Sequence, residues 1–262
     1  MAYALITGSS KGIGRAIAHE LARRKFNLIL TARSENLLHR LAQELTTQYN
    51  VDVQFLAADL SSPLGVADVT GFVIARQLPV NVLVNNSGYG LWGRFDNLNL
   101  QQQINMLRLN NESVIGLTYG LLPVLREQHR AYILNVASTT AYQAVPFMSV
   151  YAASKSFIVS FSRGLSKELR GSHVSVTCLS PGATETNFME VAGIKSCKLI
   201  DSAKRVSMTA DDVAAQAVQA LLAGKTEHIP GWLNKITAYA NNLLPKKIVE
   251  GIAANIYKPI TY

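Results

Sequence analysis

Ala2 to Gly14, AYALITGSSKGIG, is the stretch on which the fold turns. Ala2 to Thr7 is a short apolar run stopped by Gly8, and it reads as a buried parallel strand. Gly8-Ser9-Ser10-Lys11-Gly12-Ile13-Gly14 follows, and then an amphipathic segment from Arg15 to Lys25 that reads as a helix. Strand, glycine loop and helix in that order present backbone N–H groups and a helix N-terminus to a pyrophosphate. Glycine lets the main chain approach such a ligand and lets the helix lie close on the strand. The candidate contacts in this loop are Gly8, Ser10, Lys11, Gly12, Ile13 and Gly14.

Asn27 to Thr31 reads as a second strand. In dinucleotide folds the end of this strand carries an acid, about 20 residues past the glycines, for the ribose 2′-hydroxyl. This chain has Arg33 there, with Lys11 already in the glycine loop. Two cations without a carboxylate suit a 2′-phosphate, so NADP(H) is the expected cofactor.

The alternation continues without a break. Leu37–Tyr49 reads as a helix, Val53–Ala57 as a strand before Asp59, and Gly65–Arg76 as a helix. Val82–Val84 is a strand before Asn85-Asn86-Ser87-Gly88, and Leu100–Arg126 a long helix containing Asn110. Tyr132–Val136 is a strand, Tyr151–Leu169 a helix, and Val174–Leu179 a strand before Ser180-Pro181-Gly182. Asp211–Leu222 reads as a helix and His228-Ile229 as a short last strand. Near-continuous apolar strands between helices indicate an α/β fold, a parallel sheet covered on both faces. No linker, repeat or low-complexity segment divides the chain, so one domain is expected over 1–262, with a helical tail from about 230. Ligands of such sheets bind beyond the carboxyl ends of the strands, where Gly8 to Gly14, Arg33, Asp59, Asn85 to Gly88, Ser138 and Pro181-Gly182 collect.

Composition narrows the function. The 262 residues are 48% hydrophobic and carry a formal net charge of +8. The 25 basic residues are spread along the chain, with one local group at Lys195, Lys198, Lys204 and Arg205, so no nucleic-acid partner is expected. Cys178 and Cys197 lack metal-ligand spacing; they read as reduced thiols of a cytoplasmic protein, and no metal is expected. The first residues show no charged leader and no cleavage site, and no apolar run reaches the ~20 residues of a membrane span.

The chemistry is carried by Ser138 to Lys155, STTAYQAVPFMSVYAASK. Tyr151 and Lys155 lie four apart at the start of an apolar helix, so they share a face. A loop folding back from the preceding strand can bring Ser138 to Tyr151. A phenol titrates near ~10, and an adjacent ammonium is expected to lower that value.

With these residues in place the chain resembles the short-chain dehydrogenase/reductase family. The motif TGxxxGxG matches Thr7, Gly8, Gly12 and Gly14. The Asn-Asn-Ala-Gly motif matches Asn85-Asn86-Ser87-Gly88, with serine for alanine; the Asn–Ser–Tyr–Lys tetrad matches Asn110, Ser138, Tyr151 and Lys155. The Pro-Gly motif matches Pro181-Gly182, with Thr186 beyond. The resemblance implies a Rossmann-type doubly wound sheet of about seven strands with helices on both faces. It implies hydride transfer between nicotinamide and a carbonyl or alcohol carbon. Tyr151 would be the general acid or base, Lys155 would bind the ribose and acidify the tyrosine, Ser138 would hold the substrate oxygen, and Asn110 would hold a relay water. Asp59, Leu60, Asn86, Ser87, Gly88, Tyr151, Lys155, Pro181, Gly182, Thr184 and Thr186 join the glycine loop and Arg33 as implied cofactor contacts.

The expected substrate is a small, apolar carbonyl or alcohol compound. Trp92, Tyr142, Phe147, Phe188 and Met189 are candidate pocket walls, and Ala183 to about Val206 is expected to be a lid without regular structure. A 3-oxoacyl thioester reductase and an NADP-binding sensor or scaffold without turnover are the alternatives. The two long helices read as apolar on more than one face (Leu117, Leu121, Leu122; Phe157, Phe161, Leu165), beyond what a sheet-facing stripe needs. In the family these helices pair, which implies a homodimer or homotetramer.

Overall fold

The glycine-stopped run becomes β1 (Tyr3–Thr7), the strand from which the sheet grows in both directions. The computed structural model describes residues 2–195, 197–243 and 245–258, and of Cys197, Lys198, Asn242 and Leu243 only the backbone. The expected thiol of Cys197 and the charge of Lys198 therefore lie outside the described residues. β2 (Asn27–Ala32) and β3 (Val53–Ala57) lie to one side of β1. On the other lie β4 (Val80–Asn85), β5 (Ala131–Val136), β6 (Val174–Leu179) and β7 (Glu227–His228), in the order 3-2-1-4-5-6-7. Every pairing is parallel. The winding reverses between β1 and β4, and a crevice opens beyond the strand ends at such a point.

Successive strand residues point to opposite faces, and the core divides accordingly. Ile6, Leu28, Leu30, Val82, Val84 and Leu134 pack under α1 (Gly12–Arg23), α2 (Glu35–Tyr49) and α9 (Ala210–Leu222). Their neighbours Leu5, Ile29, Leu83 and Ile133 pack under α3 (Pro63–Ala75) and α5 (Ser113–Arg126). With Leu5 and Ile6 both fully buried, truncating either to alanine should cost about 2–5 kcal/mol. This two-sided burial is why the strands lack polar alternation.

The long helix is built in two parts. α4 (Leu100–Leu107) runs into a π turn at Arg108–Glu112 that continues as α5. The 3.6-residue apolar pattern conceals that extra residue; such turns concentrate at functional sites, and Asn110 sits inside this one. The last strand lies one residue earlier than expected, at Glu227–His228, because Leu179 pairs with His228.

The stretch 183–206 departs from the expectation of an irregular lid. It contains α7 (Phe188–Val191) and α8 (Cys197–Val206). Leu199, Ile200, Ala203 and Val206 recur at helical spacing, a short pattern hidden among Lys198, Asp201, Lys204 and Arg205. Thr184 bridges Met208, and Glu185 N–H donates to the Met208 carbonyl at 3.0 Å, closing the base of this helical flap. α6 (Ser149–Glu168) precedes β6, and the chain continues past β7 into α10 (Trp232–Leu243) and α11 (Lys246–Tyr257). No helix among the described residues is long and apolar enough to cross a membrane.

Candidate active site

The loop after β1 and the loop after β4 are one hydrogen-bonded unit. Gly8 and Gly12 take left-handed φ values of +63° and +56°, which favour glycine. At Gly14 the constraint is space: a Cβ would stand 2.4 Å from both the Gly8 carbonyl oxygen and Asn86 Nδ2. Thr7 Oγ1 donates to the Val84 carbonyl and accepts from the N–H groups of Asn86 (2.8 Å) and Ser87 (2.9 Å). Asn86 Nδ2 donates back to the carbonyls of Thr7 and Gly8. Asn85 Nδ2 donates to Asn135 Oδ1 at 2.9 Å, and Asn135 Nδ2 to Ser162 Oγ at 3.0 Å, joining β4, β5 and α6. These side chains hold the glycine loop open from below.

The tetrad positions converge. Ser138 follows β5 in extended backbone and caps a 3₁₀ turn at Thr139–Tyr142, its Oγ accepting from Thr140 N–H. That turn reverses the chain and brings Ser138 beside Tyr151 on the wall of the cleft, where it acts to lower the phenol's pKa. Tyr151 and Lys155 are buried in the first turns of α6. Lys155 Nζ donates to the Val136 carbonyl at 2.9 Å and lies 5.9 Å from the Tyr151 ring centroid. Asn110 is tied to the loop after β4: its Oδ1 accepts from Tyr89 N–H (3.1 Å), and its Nδ2 donates to the Tyr89 carbonyl and Ser154 Oγ (both 3.0 Å).

One electrostatic expectation is reversed. Burial pushes the Tyr151 phenol well above its ordinary value, the Ser138 hydrogen bond opposes this, and nearby Tyr257 adds to it. Burial also lowers Lys155, from 10.5 to about 8. Loss of water penalises the charged form of each, and the lysine, engaged with the Val136 carbonyl, does not offset that penalty on the phenol.

A cleft of about 350 Å³ runs over these groups. Of the expected site residues, Gly8, Lys11, Gly12, Ile13, Asn86, Ser87, Gly88, Ser138, Tyr151, Lys155, Pro181, Gly182, Thr184 and Thr186 line it. Gly14 sits behind the loop, and Ser10 is half-buried. Asn110 stands behind Gly88, where a Cβ would come within 2.9 Å of its Oδ1. The Leu60 side chain belongs to the core beneath the sheet. Arg33 is exposed at the rim, facing Asp59. Partial burial acts to raise Asp59, but hydrogen bonds from Ser61 and the Arg33 charge hold it below the usual carboxylate range.

The opposite wall differs from the expected one. Phe188 and Met189 line it, with Met148, Ile194, Leu199 and Tyr257. Tyr142 does not: its hydroxyl donates to Glu227 Oε1 and accepts from Ser180 Oγ, away from the cleft. Trp92 stands behind the wall, its indole N–H donating to the Tyr257 carbonyl at 2.7 Å. Phe147 takes a left-handed φ of +66° in the turn before α6 and is not among the lining residues. Tyr257 went unrecognised because its partners, 165 residues away at Trp92, leave no local signal.

The comparisons fit this geometry. Residues 2–195 match the family described as short chain dehydrogenase, and the chain belongs to that family of oxidoreductases. It is 30% identical to an uncharacterized oxidoreductase of Staphylococcus epidermidis, over 83% of this chain and 90% of the relative. It is 36% identical to a very-long-chain 3-oxoacyl-CoA reductase of Kluyveromyces lactis, over 67% of this chain and 53% of the relative. A solved short-chain dehydrogenase from Sphingobium yanoikuyae in complex with NADPH superposes with a TM-score of 0.82 at 27% identity, covering 100% of this chain and 99% of that one. The family binds nicotinamide cofactors, and its members act on small molecules.

Proposed function

We propose that the protein reduces an apolar ketone or aldehyde to the alcohol with NADPH. The observation that carries this reading is the half-buried Ser138 beside buried Tyr151 and Lys155, at the junction of a glycine-lined half-cleft and an apolar one. The half-cleft fits a dinucleotide: Gly14 admits no side chain, Gly8 and Gly12 take conformations that favour glycine, and Lys11 and Arg33 stand exposed where a 2′-phosphate would lie. The NADPH complex of the Sphingobium neighbour supports the choice of NADP over NAD.

A bound nicotinamide dinucleotide supplies the hydride for the carbonyl carbon. Ser138 Oγ and Tyr151 hold the carbonyl oxygen between two hydroxyl donors, and Tyr151 passes its proton to that oxygen as negative charge develops. With its pKa raised by burial, the tyrosine carries its proton at neutral pH and serves as the acid in the reduction. In this reading Lys155, buried with its Nζ 5.9 Å from the Tyr151 ring centroid and titrating near 8, returns a proton to Tyr151. Asn110 fixes the Gly88–Tyr89 turn against α6 and thereby the floor beside Lys155.

A second reading, a 3-oxoacyl thioester as substrate, is favoured by the Kluyveromyces relative and by exposed Lys195, Lys204 and Arg205 on the flap. Cation steering of an anionic carrier makes kcat/KM fall with ionic strength, whereas a neutral ketone is indifferent. Exposed Tyr119 (83%), with Ile115 and Phe157, supports assembly through α5 and α6, rather than the largely sheet-facing leucines expected. Free, buried Cys178 is consistent with the cytoplasm. The test is NADPH oxidation against ketones, aldehydes, 3-oxoacyl thioesters and steroids, with Tyr151→Phe beside wild type. Tyr151-dependent turnover supports the reading; NADPH binding without turnover on any class would overturn it in favour of a sensor.

A further inference from the structure

α10 is turned inside out. At about 100° per residue, Trp232, Leu233, Ile236 and Tyr239 fall within one arc of roughly 120°, and all four face solvent. Trp232 is 75% exposed and Ile236 57%. The inward face carries Ala238, which is buried, and Asn234, whose Nδ2 donates to the Pro230 carbonyl and whose side chain abuts Gly182. A surface helix ordinarily turns its apolar stripe to the core. The pattern continues one helix on. Ile248 and Ile252, a turn apart on α11, are both more than half exposed, while Val249 and Ala253 face inward. Among the described residues this is the densest run of exposed large apolar side chains, more than scattered surface hydrophobics explain.

The charge beside it has one sign. Residues 230–258 hold Lys235, Lys246, Lys247 and Lys258 against one acid, Glu250, and contain no arginine. Lys235 borders the stripe, three residues from Trp232 and four from Tyr239. Lys246 Nζ donates to the Asn241 carbonyl at 3.1 Å and holds the corner between the two helices.

We infer that the outward face of α10, continued by Ile248 and Ile252 of α11, docks the protein on the surface of an anionic lipid bilayer. Tryptophan and tyrosine rings with aliphatic side chains, edged by lysine, are the residues that settle at a membrane interface. The helices lie on the surface, since neither is long and apolar enough to span it. A second copy of this chain fits poorly: a twofold contact sets the same patch against itself, here lysine against lysine. An acidic protein fits less well than lipid, because protein interfaces enrich arginine and deplete lysine. α11 links the surface to the cleft, since the helix carrying Ile248 and Ile252 outward also carries Tyr257 into the apolar wall.

The test uses the full chain and phosphatidylcholine vesicles with and without phosphatidylglycerol, and reads no enzyme activity, so it stands apart from the proposed reaction. Co-sedimentation should require phosphatidylglycerol and weaken with salt. Tryptophan emission should shift to the blue on binding and keep that shift in Trp92→Phe, since Trp92 is already partly buried. Trp232→Ser with Ile236→Ser should weaken partition at least tenfold, as should Lys235→Glu with Lys247→Glu, while NADPH titration stays at wild-type values in both. Three results would overturn the inference: no sedimentation with anionic vesicles, equal sedimentation of wild type and both variants, or polyglutamate binding without vesicle binding. So would a wild-type oligomer that the Trp232→Ser, Ile236→Ser variant dissolves, because a second copy would then cover the face.

Discussion

The two walls of the cleft are made by different physics. The wall formed by the loops after β1 and β4 is main chain held in place by side-chain hydrogen bonds: Thr7 and Asn86 lock it, and Gly14 fits because nothing larger can. The facing wall is side chains held by packing: Phe188, Ile194, Leu199 and Tyr257 belong to one apolar cluster drawn from a flap and a distant C-terminal helix. A hydrogen-bonded wall tolerates few residue types, so it serves one cofactor class. A packed wall accepts any apolar set of suitable volume, and there substrate choice can vary without disturbing the fold.

The sharpest way to break the comparison lies where the walls meet. Tyr151→Phe removes the proposed proton donor and almost no volume, so kcat should fall by about 10²–10⁴-fold, with the NADPH dissociation constant within about twofold of wild type. Near wild-type turnover would remove the tyrosine from the reaction. Next in size is the rim of the first wall. Charge-assisted contacts from Arg33 and Lys11 should give NADPH an advantage of roughly 10- to 100-fold over NADH. Arg33→Asp should erase or invert it in fluorescence titrations. Asp59 beside Arg33 keeps the figure toward the low end.

The contrast also explains what could be read in advance. The glycine loop, Asn85-Asn86 and Ser138 announce themselves because a left-handed φ, a close approach or a cap restricts the residue locally, within a few positions. The alternating apolar strands were legible because both faces of the sheet are buried. The π turn at Asn110 leaves the apolar period intact and so was invisible. α8 was hidden because a ten-residue helix with four charged residues resembles a solvated loop. Tyr257 was beyond reach because its place depends on Trp92, far off in the chain. Tyr151's proton affinity was misjudged because spacing reveals a neighbouring cation but not the loss of water around both groups.

On the packed wall, Tyr257→Ala should raise KM for a large apolar ketone by about tenfold, the loss of most of an aromatic side chain's burial. KM for the smallest ketone turned over should hardly move, and so should the NADPH dissociation constant. Equal loss for large and small substrates would mean that Tyr257 supports the tetrad rather than the substrate wall.

The remaining effect is a pH dependence of stability at the junction, one that leaves turnover aside. Lys155 titrates near 8 in the folded chain and near 10.5 when unfolded. Below about pH 8 both forms are charged, and the folded chain bears the full cost of a buried cation. Between about 8 and 10.5 the unfolded chain keeps a proton that the folded chain has released, so this group makes stability rise with pH, by at most about 1.4 kcal/mol per pH unit. Cys178 acts in the opposite sense: burial raises it from 9.0 to about 11, so its contribution is complete below 9 and is lost as pH climbs through 11. Wild-type melting alone therefore mixes opposing slopes, the raised Tyr151 phenol adding to the cysteine's above about 10. The difference between Lys155→Met and wild type cancels the cysteine. The variant's advantage in Tm should be greatest near pH 7 and shrink by ~2–4 °C for each kcal/mol recovered as the pH passes 9. A constant difference across that range would mean that Lys155 stays charged in the fold, held by the Val136 carbonyl more strongly than burial opposes it.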